Sequence, residues 1–224
     1  MSDRFFLGEK STSLVVKQIG DKTTTLDGLE LPTALLPKAI TEGQSVRVTI
    51  TIESPHTRNE WSHAYAKQGA SDLKVYRLLA TSGAGISECH RLHYLQMAGE
   101  KIGKAYQFRH TSKSIEALSS KHVALADFIK LYCLSGAMKK RYAGRDAQLA
   151  SIRQELNGLA TEIEKLAPAV DRQQSPTNVE YPWTNGVALT IPCDHEFPLM
   201  QSHGRDIWTL FAKTLDDAAT DLLR

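Results

Sequence analysis

The chain has 224 residues, enough for one medium domain or two small ones with a real core. With 42% hydrophobic and 23% charged residues it has a globular composition, which excludes a disordered chain. A net charge of +2 favours no class of partner, and no apolar run approaches the ~20 residues of a membrane span.

Three cysteines, Cys89, Cys133 and Cys193, lie far apart and form no CxxC pair, so reduced thiols are expected rather than a disulfide framework. The stretch MSDRFFLGEK has no signal-peptide core. The expectation is a cytoplasmic protein.

Residues 1–54 read as a small β-module. Val46, Val48, Ile50 and Ile52 alternate with polar residues, the period of a half-buried strand. Ser13 to Lys17 and Thr23 to Leu26 are β-branched or apolar, and Asp27-Gly28 is a hairpin signal before Leu29-Glu30-Leu31. Pro32 and Pro37 bracket a short turn. The pattern predicts an SH3-like barrel or meander, either a docking module or a structural cap.

Residues 57–167 switch to helical spacing. Trp61, Tyr65, Gln68, Asp72, Val75 and Leu79 step by three and four, predicting one face of a first helix. Gly83 and Gly85 interrupt it, and Ser87 is placed to cap the next. In that second helix Leu92, Leu95, Gly99, Ile102 and Tyr106 align, with Gly103 one turn beyond Gly99. A mid-helix glycine costs about 0.5–1 kcal/mol relative to alanine. Two of them predict a neighbour packed very close, hence a central helix. A third helix is expected from about Ser120 to Leu134, with His122, Leu125, Ile129 and Tyr132 on one face. A fourth carries a seam of Tyr142, Arg145, Leu149, Ile152, Leu156, Leu159, Ile163 and Leu166, ending at Pro168. Residues 168–224 are loop-rich, with one strand at Ala188–Ile191 and a final helix over about 203–223 aligning Trp208, Phe211, Leu215, Ala218 and Leu222. The expected fold class is α+β, mainly α: the β-module, an antiparallel four-helix bundle, then a loop-rich segment with a final helix.

Arg145 interrupts an apolar seam, so it sits at the rim or pairs with a carboxylate or a phosphate, with Asp72 as the candidate carboxylate. His122 on an apolar face is more often a hydrogen-bonded core residue than a catalyst. Glu100 and Lys104, four apart, read as a solvated pair. His90 and His93 lack further ligands, and Cys193-Asp194-His195-Glu196 reads as a loop, so no metal and no cofactor are expected. Between residues 100 and 153 eleven Lys or Arg face four Asp or Glu. Lys139, Lys140, Arg141 and Arg145 could contact phosphates there, with Tyr142 available for stacking on a base.

HYLQMAGEKIGKAY, with Gln96, Ala98, Glu100, Lys101, Lys104 and Ala105, resembles the second helix of HEPN domains. SDLKVYRLL, KHVALADFIKLY, APAVDRQQSPTNVEYPW and PCDHEFP further resemble a group of largely uncharacterised bacterial proteins built on that bundle. The resemblance spans about 60–215. It implies an antiparallel helical bundle that forms a homodimer, and a role in bacterial defence, toxin–antitoxin or stress systems. The partners it implies are RNA or a nucleotide; a protein partner, with a non-enzymatic scaffold role, is the alternative. Where such domains are enzymes they are metal-independent endoribonucleases carrying Arg, four to six residues, then His. Arg145-Asp146 fits the first two positions, and His122 is the candidate histidine from elsewhere in the chain. No histidine follows Arg145 in the window, which argues against cleavage. Arg58-Asn59 followed by His63 meets the spacing, but at the entrance of the first helix.

Overall fold

The computed structural model describes residues 4–19, 23–26, 29–32, 41, 43, 45–82, 85–114, 117–118, 122, 124–170, 173–184 and 186–224. The chain divides into two compact units, Arg4–Pro55 and His56–Arg224.

The first unit is a sheet. Strands β1 (Arg4–Ile19), β2 (Thr23–Leu26), β3 (Leu29–Pro32) and β4 (Ser45–Thr57, whose last two residues fall in the second unit) stand in the order β3-β2-β1-β4. β2 and β3 are antiparallel, with Leu26 opposite Leu29. β1 pairs antiparallel to β2 and carries an irregularity between Val16 and Gln18. The expected turn residues Asp27-Gly28 and the segment around Leu35, Leu36 and Pro37 lie outside the described residues.

The second unit is mainly helical: α1 (Arg58–Thr81), α2 (Glu88–His110), α3 (Leu125–Tyr132), α4 (Gly136–Arg141), α5 (Asp146–Lys165), α6 (Pro198–Ser202) and α7 (Arg205–Leu222). A two-stranded antiparallel ribbon, β5 (Trp183–Thr184) and β6 (Leu189–Thr190), lies between α5 and α6. Among the described residues no helix is long and apolar enough to cross a membrane.

α1 starts where its sequence says it should. Thr57 Oγ1 accepts from Glu60 N at 3.2 Å, and Glu60 Oε2 accepts from Thr57 N at 2.6 Å, a reciprocal cap. Its buried stripe is not the expected one. Ser62, Ala66, Gly69, Asp72 and Leu73 are buried, whereas Trp61 and Tyr65 are half-buried beside Phe108 and Gln68 is exposed. Small residues win the interface because α2 lies too close for rings. A Cβ on Gly69 would stand 2.7 Å from Ile102 Cγ1 and 3.1 Å from Ala98 O.

α2 is the central helix, contacted by α1, α3, α5 and α7. Leu92, Leu95, Ala98, Ile102, Ala105 and Phe108 are buried in it. Its glycines are explained by what covers them. A Cβ on Gly99 would meet Leu125 Cδ1 at 2.7 Å, and one on Gly103 would meet the carbonyl oxygen of Ala124 at 2.7 Å.

α1 runs antiparallel to α2, since Ser62 Oγ donates to Ala105 O at 2.8 Å while Asp72 pairs with Lys101. The expectation of a wholly antiparallel bundle fails at α2 and α3. Leu125 packs on Gly99, Phe128 on Gly103 and Tyr132 on Tyr106, so these two ascend together. The expected third helix begins at Leu125 rather than Ser120, leaving His122 outside it. The expected fourth helix begins at Asp146 rather than Tyr142: Gly144, with φ +73°, separates it from the short α4.

Candidate nucleic-acid interface

Arg145 is the N-terminal cap residue of α5 and is exposed. Its guanidinium lies 5.2 Å from the Tyr142 ring centre and donates to Arg141 O at 2.7 Å. Asp72 is not its partner; that carboxylate is buried with Lys101. Asp146 stands exposed in the first turn of α5. Tyr142 is only 7% exposed, so its ring is not open to a base as expected. Arg141 is ion-paired with Asp217, which Lys213 also holds at 3.2 Å. These two cations keep the Asp217 carboxyl below the usual carboxylate range, although burial pulls the other way. Lys139 and Lys140 are exposed at the end of α4 and make no ion pair among the described residues.

His122 belongs to a different place. Its Nδ1 stands 3.2 Å from Glu100 Oε1, with the imidazole half exposed. Glu100 also accepts from Gln96 Nε2 at 3.1 Å and pairs with Lys104 Nζ at 2.8 Å. Glu100 and Lys104 are 8% and 4% exposed. The expected solvated pair is therefore a buried one, and burial of two charges is tolerable here because each is bonded. Nearby Glu164, in the last turn of α5, accepts from Leu125 N at 2.9 Å. Burial raises its pKa above the ordinary carboxylate value. Arg145 and Glu164 are separated by most of α5, roughly 28 Å at 1.5 Å per residue. Within one chain, then, Arg145 and Asp146 do not share a site with His122.

The alternative arginine, Arg58, is also committed. Its guanidinium donates to Phe108 O at 2.9 Å and Lys113 O at 2.8 Å, and to Thr111 O, so it caps the end of α2. Burial lowers its pKa. Asn59 and His63 instead open onto a cleft of about 840 Å³ together with Lys67, Arg109 and Arg224. Among the described residues Glu60 is its one acidic lining residue, and that carboxylate is held by Thr57.

Arg109 joins this cleft to the α4 region. It caps α7 by donating to Leu222 O at 2.8 Å and Asp221 O at 3.2 Å. It also lines a smaller hollow of about 250 Å³ with His110, Ser135 and Ala137, where α4 begins. A band of positive charge results. Lys67, Arg109 and Arg224 lie at one end; Lys139, Lys140, Arg141, Arg145 and Lys213 lie at the other. Among the described residues Glu60, Asp217 and Asp221 are carboxylates bound into it, and Asp146 stands exposed beside Arg145. The sequence gives an excess of basic residues but not this join, because its parts come from α1, α2, α4 and α7.

Among the described residues no group of three His, Cys, Asp or Glu stands close enough to hold a metal ion. Cys193 Sγ donates to Asp194 Oδ1 at 3.6 Å, and His195 stands edge-on to Trp183 and Phe197. Compared with protein-family models, with curated proteins and with solved structures, the chain matches none.

Proposed function

We propose that this chain is an RNA- or nucleotide-binding protein of a bacterial defence, toxin–antitoxin or stress system, on a HEPN-like scaffold, that binds without cutting. The observation that carries the reading is that Arg109 lines both the cleft with Lys67 and Arg224 and the hollow at the start of α4, the helix that carries the exposed Lys139 and Lys140. Phosphate backbones are recognised by such arrays without regard to sequence. Cleavage is disfavoured on two counts. Among the described residues no histidine stands beside Arg145, and Arg58 donates to carbonyls at the end of α2 and just beyond it. The four-helix HEPN bundle, the homodimer and the N-terminal barrel as a docking module belong to the same reading.

Fluorescence anisotropy with a labelled single-stranded RNA tests it. Wild-type protein binds at low salt, and the double change Lys139→Ala, Lys140→Ala lowers the slope of log affinity against log salt by about 0.7 per phosphate contact removed. No binding at low salt defeats the proposal. A metal-free ribonuclease assay is expected to leave the RNA intact.

One observation favours the second reading, a protein-interaction role. The ribbon β5–β6 and its flanks expose Tyr181 (53%), Val187 (97%), Leu189 (72%) and Ile191 (44%). Exposed apolar groups gathered in one segment are a feature of protein-binding surfaces. Retention of a native-host protein by wild type, lost on Val187→Ser with Leu189→Ser, would favour it over RNA.

A further inference from the structure

A second sizeable cleft lies at the far end of α1, where its last turns meet α6 and the start of α7. Its volume is about 780 Å³, within the range of small-molecule sites. Two kinds of lining meet in it. Tyr76, Met200, Trp208 and Ala212 form apolar and aromatic wall. Arg77, Arg205, Lys213 and His203 supply positive or protonatable groups. Among the described lining residues Asp216 is the one carboxylate, and Arg77 neutralises it across 3.2 Å.

The cationic groups are differently committed. His203 Nε2 faces Glu162 Oε2 at 3.4 Å, and its ring stands at 88° to Trp208. Lys213 shares Asp217 with Arg141. The Arg205 guanidinium has no partner among the described residues. Trp208 Nε1 is buried and also has no acceptor among them. α7 begins here at Gly204 without a side-chain cap, so the helix dipole adds positive potential to the same place.

A purely apolar ligand would leave these cations idle. A bare inorganic anion would not use the aromatic wall. A flat ring joined to an anionic group uses both, through stacking and cation–π contact on one side and charge-assisted hydrogen bonds on the other. From this we infer that the cleft between the end of α1 and the start of α7 binds a small ring-bearing organic anion. Its ring lies against Trp208 and its anionic group on Arg205 and Lys213. A nucleotide and an aromatic carboxylate share this chemistry.

The site shares Lys213 with the basic residues around Arg141, but Arg205 and Trp208 belong to it alone. Arg77 lies roughly 21 Å along α1 from His63. Calorimetric titration of the whole chain at low salt tests the inference, with adenosine monophosphate and indole-3-acetate as ring-bearing anions, and adenosine and inorganic phosphate as the two halves. Saturable binding of either ring-bearing anion is expected, at least about tenfold tighter than its neutral or ringless counterpart. The tighter of the two identifies the source. Arg205→Ala, and separately Lys213→Ala, should each weaken it about tenfold with an unchanged melting curve. The inference is overturned by no saturable binding of either anion at millimolar concentration. It is equally overturned by adenosine or phosphate binding as tightly, or by unchanged affinity in both variants. Arg205→Ala is expected to leave RNA affinity intact, so either proposal can fail alone.

Discussion

The residue with the largest distance between its appearance in sequence and its place in the fold is Glu100. Four residues before Lys104, it has the spacing of an ordinary surface pair, and only the cover laid over α2 makes it a buried acceptor of Gln96, Lys104 and His122. One sign was present in the sequence. Gly99 and Gly103 precede Glu100 and Lys104 by one residue each, so a close neighbour on the glycines also shadows the charges. Breaking a buried pair leaves a stranded charge, at a cost of about 3–5 kcal/mol. Lys104→Met is therefore expected to destabilise strongly in urea melts. Adding Glu100→Gln should recover part of the loss, a non-additivity that would be missing if the pair were solvated. Glu164 gives a pH signature. Its folded pKa is raised by burial, so between its ordinary and raised values the folded state holds more proton and stability falls as pH rises. Glu164→Gln should flatten that decline in melting temperature; an unchanged slope would reassign it. The thiols separate too. Burial pushes Cys133 up to about 11 and also raises Cys89, while Cys193 is exposed. A disulfide reagent at neutral pH should titrate one thiol quickly and the other two only on unfolding.

At the scale of elements, the glycines of α2 predicted their own environment, because the cost of a mid-helix glycine has to be offset by something. The faces of α1 were harder. Spacing finds a stripe, but which stripe is buried depends on how near the partner comes, and at α2 the winners are Ser62, Ala66 and Gly69 rather than Trp61 and Tyr65. The α5 seam was readable from Leu156 to Leu166, all buried along its line, and not at its start, since the left-handed Gly144 looks in sequence like any tolerated helical glycine. Gly103→Ala is expected to cost more than Gly99→Ala: the first new methyl meets backbone, the second a leucine tip that can turn aside. The first should lose about 1–3 kcal/mol in denaturant melts. Gly158, with nothing within 4 Å of a built Cβ, is the control, and Gly158→Ala should gain about 0.5–1 kcal/mol. A loss there as large as at Gly103 would show that packing is not the cause.

Across the whole molecule, a mainly helical unit after an N-terminal run of strands was legible from periodicity alone, since periods of two and near four do not mimic one another. The candidate sites were not. Lys139, Lys140 and Arg145 could be named from their density, but Arg109 and Lys67 enter only through three-dimensional adjacency, and His122 leaves Arg145 for the same reason. The aromatic cleft beside Trp208 likewise combines α1 with α7, elements more than a hundred residues apart.

The cationic strip is stitched from four segments that meet only when α7 has docked on α1 and α2. The denatured polymer keeps every one of those lysines and arginines yet presents no ordered polyelectrolyte track. Any polyanion recognising the track must consequently act as a thermal stabiliser, lifting the unfolding transition in proportion to the logarithm of its free concentration.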